Sequence, residues 1–304
     1  MASYMNSWLS SLTGAQQTMS SWAKVVESYE DIPKIFQPSF ETALGTSSQF
    51  PYTVFAPSIA GYGRMTTEKL LCAANDSIYV WERYGNQVTM VEYPLTAISD
   101  LEVGEILLFS WMTISGMTKA RMACSTTIEF NTASYRHFAR FVDQMRPVPV
   151  AISEHEHSIE QFKFDYLAAE NFKFRNYARQ SLVCGEQVVR SLWQPKIQKP
   201  ILSFLGTRFC RTLSLAHLTI LTDKELIVIQ DDERTRENRG VRYGGKWRYI
   251  ALRHINQVSL RDRADDLTIL SLTLSSEQQL EIIFAADQKQ QAIQLRDAID
   301  KLMG

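Results

Sequence analysis

Cysteine is scarce in this sequence, and its four residues lie far apart. Cys72, Cys124, Cys184 and Cys210 form no C-x-x-C pair and no dense framework, which excludes a small disulfide-stapled scaffold and a closely spaced cysteine zinc site. Isolated cysteines are typical of proteins in a reducing compartment, where they pack as small apolar residues. We therefore expect a cytoplasmic protein.

Long apolar runs and a strong net charge are also missing. No window approaches the roughly 18 consecutive apolar residues of a membrane-spanning helix. The first residues, MASYMNSWLSSLTG, show neither the basic nor the long apolar region of a signal peptide. Because the formal net charge of the 304 residues is −1, the chain as a whole is not attracted to nucleic acid, and we expect no nucleic-acid partner.

The N-terminal 44 residues carry apolar side chains at three- and four-residue steps, among them Trp22, Val25 and Val26. This spacing predicts a mainly helical extension that ends at Pro33 and Pro38 and packs on the domain that follows. A helix that docks on a membrane or on a partner is the alternative. The segment lacks the Lys/Arg face of a membrane-surface helix, which disfavours a membrane as its target.

From residue 49 the pattern changes to short β-type runs separated by turn residues such as Asn75-Asp76. An amphipathic helix follows at 134–146, with Ser134 as a candidate N-cap and an apolar stripe on one face. After a polar-aromatic helical segment at 153–180 the same order returns. A second series of strands leads to the amphipathic C-terminal helix QKQQAIQLRDAIDKLM. Strands followed by one helix, twice, predict two domains in a chain of 304 residues.

The two halves also match in sequence pattern. YPLTAISDLEV in the first half aligns with YIALRHINQVSL in the second, so that Leu95 and Ile98 match Leu252 and Ile255. ILLFSWMTIS aligns with LTILSLTLSS, TTIEFNTAS with LEIIFAADQ, and the closing helices coincide. Because order and spacing agree over the whole unit, a tandem duplication is the simplest explanation.

The repeated unit resembles the bacterial pleckstrin-homology-like and GRAM-like domains, over residues 49–146 and 181–303. In these families seven strands form a strongly bent sheet and a C-terminal helix plugs one open end. Gly185-Glu186 matches the Gly-Glu that leads into the first strand of such domains, whereas FPYTVFAPSI stands there in the first copy. The resemblance implies a mainly β protein with helices, two bent-sheet barrels each capped by its helix. The predicted parts are an extension (1–44), a first domain (45–149), a helical linker (150–180) and a second domain (181–304).

The stretch GVRYGGK at 240–246 fits the G-x4-G-K part of a phosphate-binding P-loop. A working P-loop follows a hydrophobic strand, precedes a helix and has Ser or Thr after its lysine. Here a charged loop precedes the stretch, Trp247 follows Lys246, and a β-type run continues. We therefore interpret it as a hairpin end in which glycine supplies positive φ angles.

Basic residues are concentrated in one region, since residues 190–254 hold 13 basic and 6 acidic side chains. In a pleckstrin-homology-like barrel the two loops that carry them meet at one open end, where guanidinium groups can bind phosphate. A solvated loop with internal ion pairs is the alternative, because the family's phosphoinositide pattern is not met. The candidate contacts for an anion or a lipid are Lys196, Lys199, Arg208, Arg211, Arg239, Arg242, Lys246 and Arg248.

The run PILSFLG at 200–206 places apolar side chains in a predicted loop between basic residues. It suits a loop folded onto the protein, a contact with a partner subunit, or a wedge that enters a membrane interface. The candidate contacts are Ile201, Leu202, Phe204 and Leu205.

No motif predicts catalysis. His155 and His157 lie in a polar linker without a third ligand nearby, and neither H-E-x-x-H nor G-x-S-x-G occurs. We therefore expect no enzyme, no cofactor and no metal site. The sequence predicts a non-catalytic binding or scaffolding module that acts through protein–protein contact or self-assembly. Peripheral attachment to anionic lipid at the inner face of the membrane is the main alternative, and an enzyme with a site between the domains is the third.

Overall fold

The computed structural model describes residues 21–45, 49–59, 65–147, 153–204, 207–235, 242–264 and 266–304. These residues form a mixed β and α structure with several antiparallel sheets and a C-terminal helix. The strands are β1 (Lys24–Val26), β2 (Tyr52–Ala56), β3 (Lys69–Ala74), β4 (Ser77–Tyr84), β5 (Gln87–Pro94), β6 (Ile98–Ile106), β7 (Phe109–Met117), β8 (Ala123–Asn131), β9 (Val188–Gln194), β10 (Ile197–Phe204), β11 (Thr207–Ser214), β12 (His217–Thr222), β13 (Glu225–Gln230), β14 (Gly245–Ala251), β15 (Ile255–Arg263), β16 (Leu267–Leu274) and β17 (Gln279–Ala285). The helices are α1 (Gln37–Leu44), α2 (Tyr135–Met145), α3 (Glu154–Phe162), α4 (Leu167–Glu170), α5 (Phe172–Ser181) and α6 (Lys289–Met303).

The N-terminal half is built from two antiparallel meanders, β2–β5 and β6–β8, with α2 between them. Asn75 and Asp76 have φ angles of 51° and 56°, which makes the tight turn between β3 and β4 that their side chains predicted. The apolar stripe predicted for α2 is confirmed. Its four residues are buried in the core: Phe138, Phe141, Val142 and Met145. The Oγ of Ser134 accepts from the backbone N–H of Ala23 at 3.0 Å and does not cap the helix that follows it.

The N-terminal extension packs on the outer face of the first meander. Its apolar side chains, Phe36 and Phe40 among them, form a separate cluster with strands β3 and β4, and the Phe40 ring lies 5.2 Å from that of Trp81. The prediction of a mainly helical segment is wrong for Val25 and Val26, which form the strand β1 on the edge of β2. Two adjacent β-branched residues beside an open strand edge favour β pairing over a helical turn. Residues 1–20 lie outside the described residues.

The C-terminal half repeats this plan. Strands β9, β12, β13 and β14 form one antiparallel layer, β15–β17 form a second, and α6 packs between them. Ala292, Leu295 and Ile299 of α6 are buried as predicted, whereas Leu302 is exposed. The linker helices α3–α5 cover the outer face of the first layer, where Phe174 contacts the ring of Trp193 at 4.5 Å.

Several elements of the two halves correspond in position. Strand β6 begins at Ile98 and β15 at Ile255, 157 positions later, and both carry a register shift after their first residue. A short 3-10 turn precedes each of them, at Leu95–Ala97 and Leu252–His254. Strand β5 correspondingly matches β14, and α2 matches α6. The structure therefore supports the duplication at the level of single residues around these strands.

The two halves share one sheet. Strand β6 of the N-terminal half pairs antiparallel with β14 of the C-terminal half, from Leu101↔Tyr249 to Glu105↔Gly245. This pairing creates a seven-stranded sheet in the order β8-β7-β6-β14-β13-β12-β9. Among the described strands all sheets are open, so the predicted closed barrels are not seen. We call the β6–β14 junction the seam.

Candidate functional site

A charged cleft of about 410 Å³ lies beside the seam. Its floor is formed by side chains of four adjacent strands of the shared sheet, and one wall is formed by β17. We call it the seam cleft. Its charged and polar floor residues are Glu102, His217, Gln230, Lys246 and Arg248.

Arg248 is held by two carboxylates of the neighbouring strand. Its Nη2 lies 3.0 Å from the Oε2 of Glu102 and its Nε lies 3.4 Å from the Oδ1 of Asp100. Burial raises the pKa of Asp100 to about 6 although the Arg248 charge lowers it. Glu102 also accepts from the indole Nε1 of Trp111 at 2.9 Å. Arg248 therefore ties the two halves together and is not a free anion ligand.

Arg242 lines the seam cleft, and its guanidinium is hydrogen-bonded to backbone carbonyl groups. Its Nη1 donates to the carbonyl oxygens of Asp232 and Thr235, and its Nε is buried without a partner among the described residues. Asp232 in turn forms an ion pair with Arg234. Burial, the largest contribution, raises the pKa of Asp232, but hydrogen bonds from Arg234 and its charge outweigh burial and lower that pKa. The Arg234–Asp232 contact is an internal ion pair of the kind that the sequence left open as an alternative.

The seam cleft brings together three of the eight predicted cations, Arg242, Lys246 and Arg248. Glu102, Glu233 and Glu281 line the same cleft, so that its formal charges balance. A balanced lining does not favour an anionic ligand over a polar segment of protein.

His217 is a residue of this cleft that sequence reasoning did not single out. Its Nδ1 lies 3.2 Å from the carbonyl oxygen of Leu215, and its ring packs 5.3 Å from that of Phe284. Its Nε2 has no hydrogen-bond partner in the described part of the chain. Burial lowers the pKa of His217 to about 4, so the ring is neutral at physiological pH and donates through Nδ1. Within the strand run HLTIL, nothing in the sequence marked His217 as a residue that lines a cleft.

Several of the other predicted contacts lie on or beside the two-stranded hairpin β10–β11. The run PILSFLG, predicted as a loop, belongs mainly to strand β10, because alternating backbone pairing with β11 satisfies its N–H and C=O groups. Ile201 is 69% exposed, and Lys199 pairs across the hairpin with Arg211. Lys196 is half-buried at its base. The side chains of Leu202, Phe204 and Arg208, and residues Leu205 and Arg239, lie outside the described part of the structure.

The P-loop-like stretch ends at the seam. Gly244 has a φ of 76°, and a Cβ on it would lie 2.1 Å from the carbonyl oxygen of Glu105. Gly245 and Lys246 are the first residues of β14, opposite Glu105 and Gly104. The interpretation as a glycine turn that leads into a strand is confirmed. The pairing of that strand with the other half of the chain was not predicted.

A buried ionic cluster fastens the end of α2 to the C-terminal half. Arg146 forms a salt bridge with Glu225, donates to the carbonyl oxygen of Ser181 at 2.6 Å, and places its guanidinium 3.8 Å from the ring centre of Tyr249. Beside it, burial and the neighbouring Glu225 carboxylate raise the pKa of Glu186 to about 8. The Gly-Glu motif therefore supplies a buried carboxyl whose surroundings favour its protonated form.

Two of the strand edges that stay free of β partners within the described residues are those of β5 and β15. They are the repeat equivalents of β14 and β6, the strands that pair at the seam. The turn at Gly85-Asn86 fixes Tyr84 opposite Gln87, so the backbone groups of Val88, Met90 and Glu92 point away from β4. The carbonyl of Glu92 already accepts from the N–H of Lys119 at 3.0 Å, which leaves the earlier part of β5 open.

Within the described ranges, no group of three His, Cys, Asp or Glu side chains is placed to hold a metal ion. None of the described helices is long and apolar enough to cross a membrane. No protein-family model matches the chain, and comparison with curated proteins gives no match either.

Proposed function

We propose that this chain is a non-catalytic binding or scaffolding module of two tandem pleckstrin-homology-like domains that acts through protein–protein contact. Each half contains two antiparallel layers with a helix between them, which supports the resemblance and the division near residues 150 and 180. In the seam cleft, Arg248 and Glu102 form a structural ion pair, and Arg242 is hydrogen-bonded to backbone carbonyl oxygens. Such engagement favours a surface for binding over a reactive site.

The observation that carries the proposal is the seam. Strand β6 uses its edge to bind β14 through five consecutive residue pairs, so this fold already joins its two halves by adding strand to strand. The equivalent edges β5 and β15 expose the same kind of backbone surface, and an unpaired strand edge is a template for another protein chain. We therefore place the partner contact on these edges.

Proline substitution at an outward-facing N–H tests the proposal, because it removes a ladder donor while the inner pairing is kept. Met90→Pro on β5 and Asp262→Pro on β15 serve as the edge variants, and Met90→Ala and Asp262→Ala remove the same side chains but keep the N–H. Affinity capture from the native host, read by quantitative mass spectrometry, should yield proteins that bind the wild type and both alanine variants. At least one proline variant should lose them. Equal capture by all variants would refute an edge-mediated contact.

Attachment to anionic lipid is the second candidate, and the hairpin β10–β11 supports it. Lys199 and Arg211 are exposed and lie opposite each other across the hairpin, close to the exposed Ile201. Two cations beside an exposed apolar side chain suit the anionic interface of a membrane. Co-sedimentation with vesicles that contain anionic lipid, compared between wild type and Lys199→Glu/Arg211→Glu, tests it. Binding that is equal for both, or absent for both, would remove this candidate.

A further inference from the structure

We infer that the partner of the free edges is a second copy of this chain, and that β15 of one copy pairs with β5 of the next. This inference rests on the proposed function and specifies its partner. The seam inside each chain joins the edge of β6 to the edge of β14. After that pairing, the described part of each chain still has the free edge of β15, the repeat equivalent of β6, and that of β5, the repeat equivalent of β14.

The repeat fixes the register of the proposed contact. Shifting the seam pairs by the repeat offset of 157 positions, as from Ile98 to Ile255, places β5 antiparallel to β15. Met90 of one copy then faces Leu260 of the next, as Trp247 faces Val103 in the seam. Thr89 faces Arg261, as Lys246 faces Gly104. The flanking pairs would be Val88 with Asp262 and Val91 with Ser259.

The side chains on the two edges suit this register. Met90 is 40% exposed on its edge, and Leu260 is half-buried at the margin of the second core, so their pairing extends that core over an exposed apolar residue. Thr89 and Arg261 are exposed and polar on the opposite face. The apolar contact of the joined sheet would therefore be centred on the Met90–Leu260 pair, with Thr89 and Arg261 on the other face.

The backbone groups are also available. Asp266 has a φ of 57° in the short turn between Arg263 and Leu267, which sets the hydrogen bonds of β15 so that Val258, Leu260 and Asp262 point outward. On β5 the carbonyl of Glu92 is occupied by Lys119. The contact therefore begins at Val91 and runs to Val88.

This contact joins two different edges and is heterologous, so it propagates from copy to copy into a chain or a closed ring. A copy with a blocked β5 edge can still offer its β15 edge, and a copy with a blocked β15 edge can still offer β5. Two variants that are each unable to assemble alone should therefore bind each other once and stop at a pair.

Sedimentation velocity on the purified full chain tests the inference. The wild type, Met90→Ala and Asp262→Ala should form species beyond the dimer as concentration rises, whereas Met90→Pro and Asp262→Pro should each stay monomeric. An equimolar mixture of the two proline variants should form one-to-one heterodimers, and the double variant should not associate with itself. Circular dichroism of each variant checks that the fold is kept. A wild type that stays monomeric at all concentrations, or proline variants that assemble like their alanine controls, would overturn the inference.

A covalent readout keeps the test independent of how well the proline variants fold. In a Cys210→Ser background, Thr89→Cys and Arg261→Cys chains are mixed under mild oxidation. Because Thr89 and Arg261 would form a non-hydrogen-bonded cross-strand pair, their Cβ atoms would lie within disulfide reach. A disulfide that joins position 89 of one chain to position 261 of another supports the register, and Thr89→Cys with Gln257→Cys is the control that should not react. If the in-register pair fails to cross-link while edge-dependent capture from the host persists, the partner is another protein and the proposed function stands without this inference.

Discussion

Arg146 is the residue at which we expect a single substitution to affect the junction of the two halves most strongly. Its side chain is 8% exposed and that of its partner Glu225 is 1% exposed, so both charges are removed from water. Replacing Arg146 with methionine keeps most of its apolar length but leaves the Glu225 carboxylate buried without its cation. Removing one partner of a buried ion pair costs about 3–5 kcal/mol, and we expect a loss of this size in the free energy of unfolding.

Denaturant unfolding followed by tryptophan fluorescence measures this loss. Arg140→Met is the matched control, because Arg140 is on the same helix and lies over the ring of Tyr52 at 4.3 Å but is exposed. An exposed cation–π contact contributes about 0.5–1 kcal/mol. The double variant Arg146→Met/Glu225→Gln should recover at least half of the lost stability, since no uncompensated charge remains. If Arg146→Met costs no more than Arg140→Met, the buried cluster does not hold the halves together and the reasoning is wrong.

Three further predictions concern pH, the seam and the N-terminal extension. Because the folded-state pKa of Glu186 is raised from 4.5 to about 8, its contribution to stability is complete below pH 4.5 and is lost as pH rises toward 8; Glu186→Gln should flatten this pH dependence in denaturant titrations, and an unchanged slope would contradict it. Gly104→Val should lower the unfolding free energy by about 1–3 kcal/mol, because a Cβ at Gly104 would lie 2.0 Å from the Trp111 ring; Gly304→Val at the C-terminus is the control that should change nothing. Phe40→Ala should cost about 3–5 kcal/mol in the same assay, since Phe40 is fully buried against Trp81, and a loss below about 1 kcal/mol would show that the extension is not part of the folded core.

The elements that follow from local pattern were predictable from sequence. The stripe of α2 needs only the helical period, and Phe138 and Phe141 occupy the core as that period requires. The turn at Asn75-Asp76 needs only residues that tolerate positive φ. The alignment of Leu95 and Ile98 with Leu252 and Ile255 predicted a repeat, and the structure shows the same two elements at the same offset.

The seam could not be predicted, because strand edges choose partners by tertiary geometry. The flanking turns do not distinguish β14 from β5 as the strand whose edge is used, since both strands follow a glycine-containing turn and precede the same 3-10 turn. The aromatic residues Trp247 and Tyr249 at the seam are the signal that could have been used. They occupy positions that hold Met90 and Glu92 in the first copy, and large aromatic side chains are expected where a strand is covered on both faces.

Three cations of the candidate site were singled out from the sequence, but the carboxylates beside them and their contacts were not. Sequence reasoning placed Arg242, Lys246 and Arg248 together on one surface, and the structure brings them into the seam cleft. It could not foresee that Asp100 and Glu102, far away in sequence, would engage Arg248. Long-range ion pairs depend on which strands become neighbours, so a basic cluster in sequence overestimates the charge available to a ligand.

The most direct measurement of the central claim is amide hydrogen exchange of the wild-type chain, alone at low concentration and then in its assembled or partner-bound form. The seam amides of Val103 and Trp247 should be protected in both states. The outward amides of Val88, Met90, Leu260 and Asp262 should exchange quickly when the chain is alone and become protected on binding, as expected for strand addition at β5 and β15. If binding leaves these four amides unprotected and protects the seam cleft or the hairpin β10–β11 instead, the edges are not the binding surface and the account is contradicted.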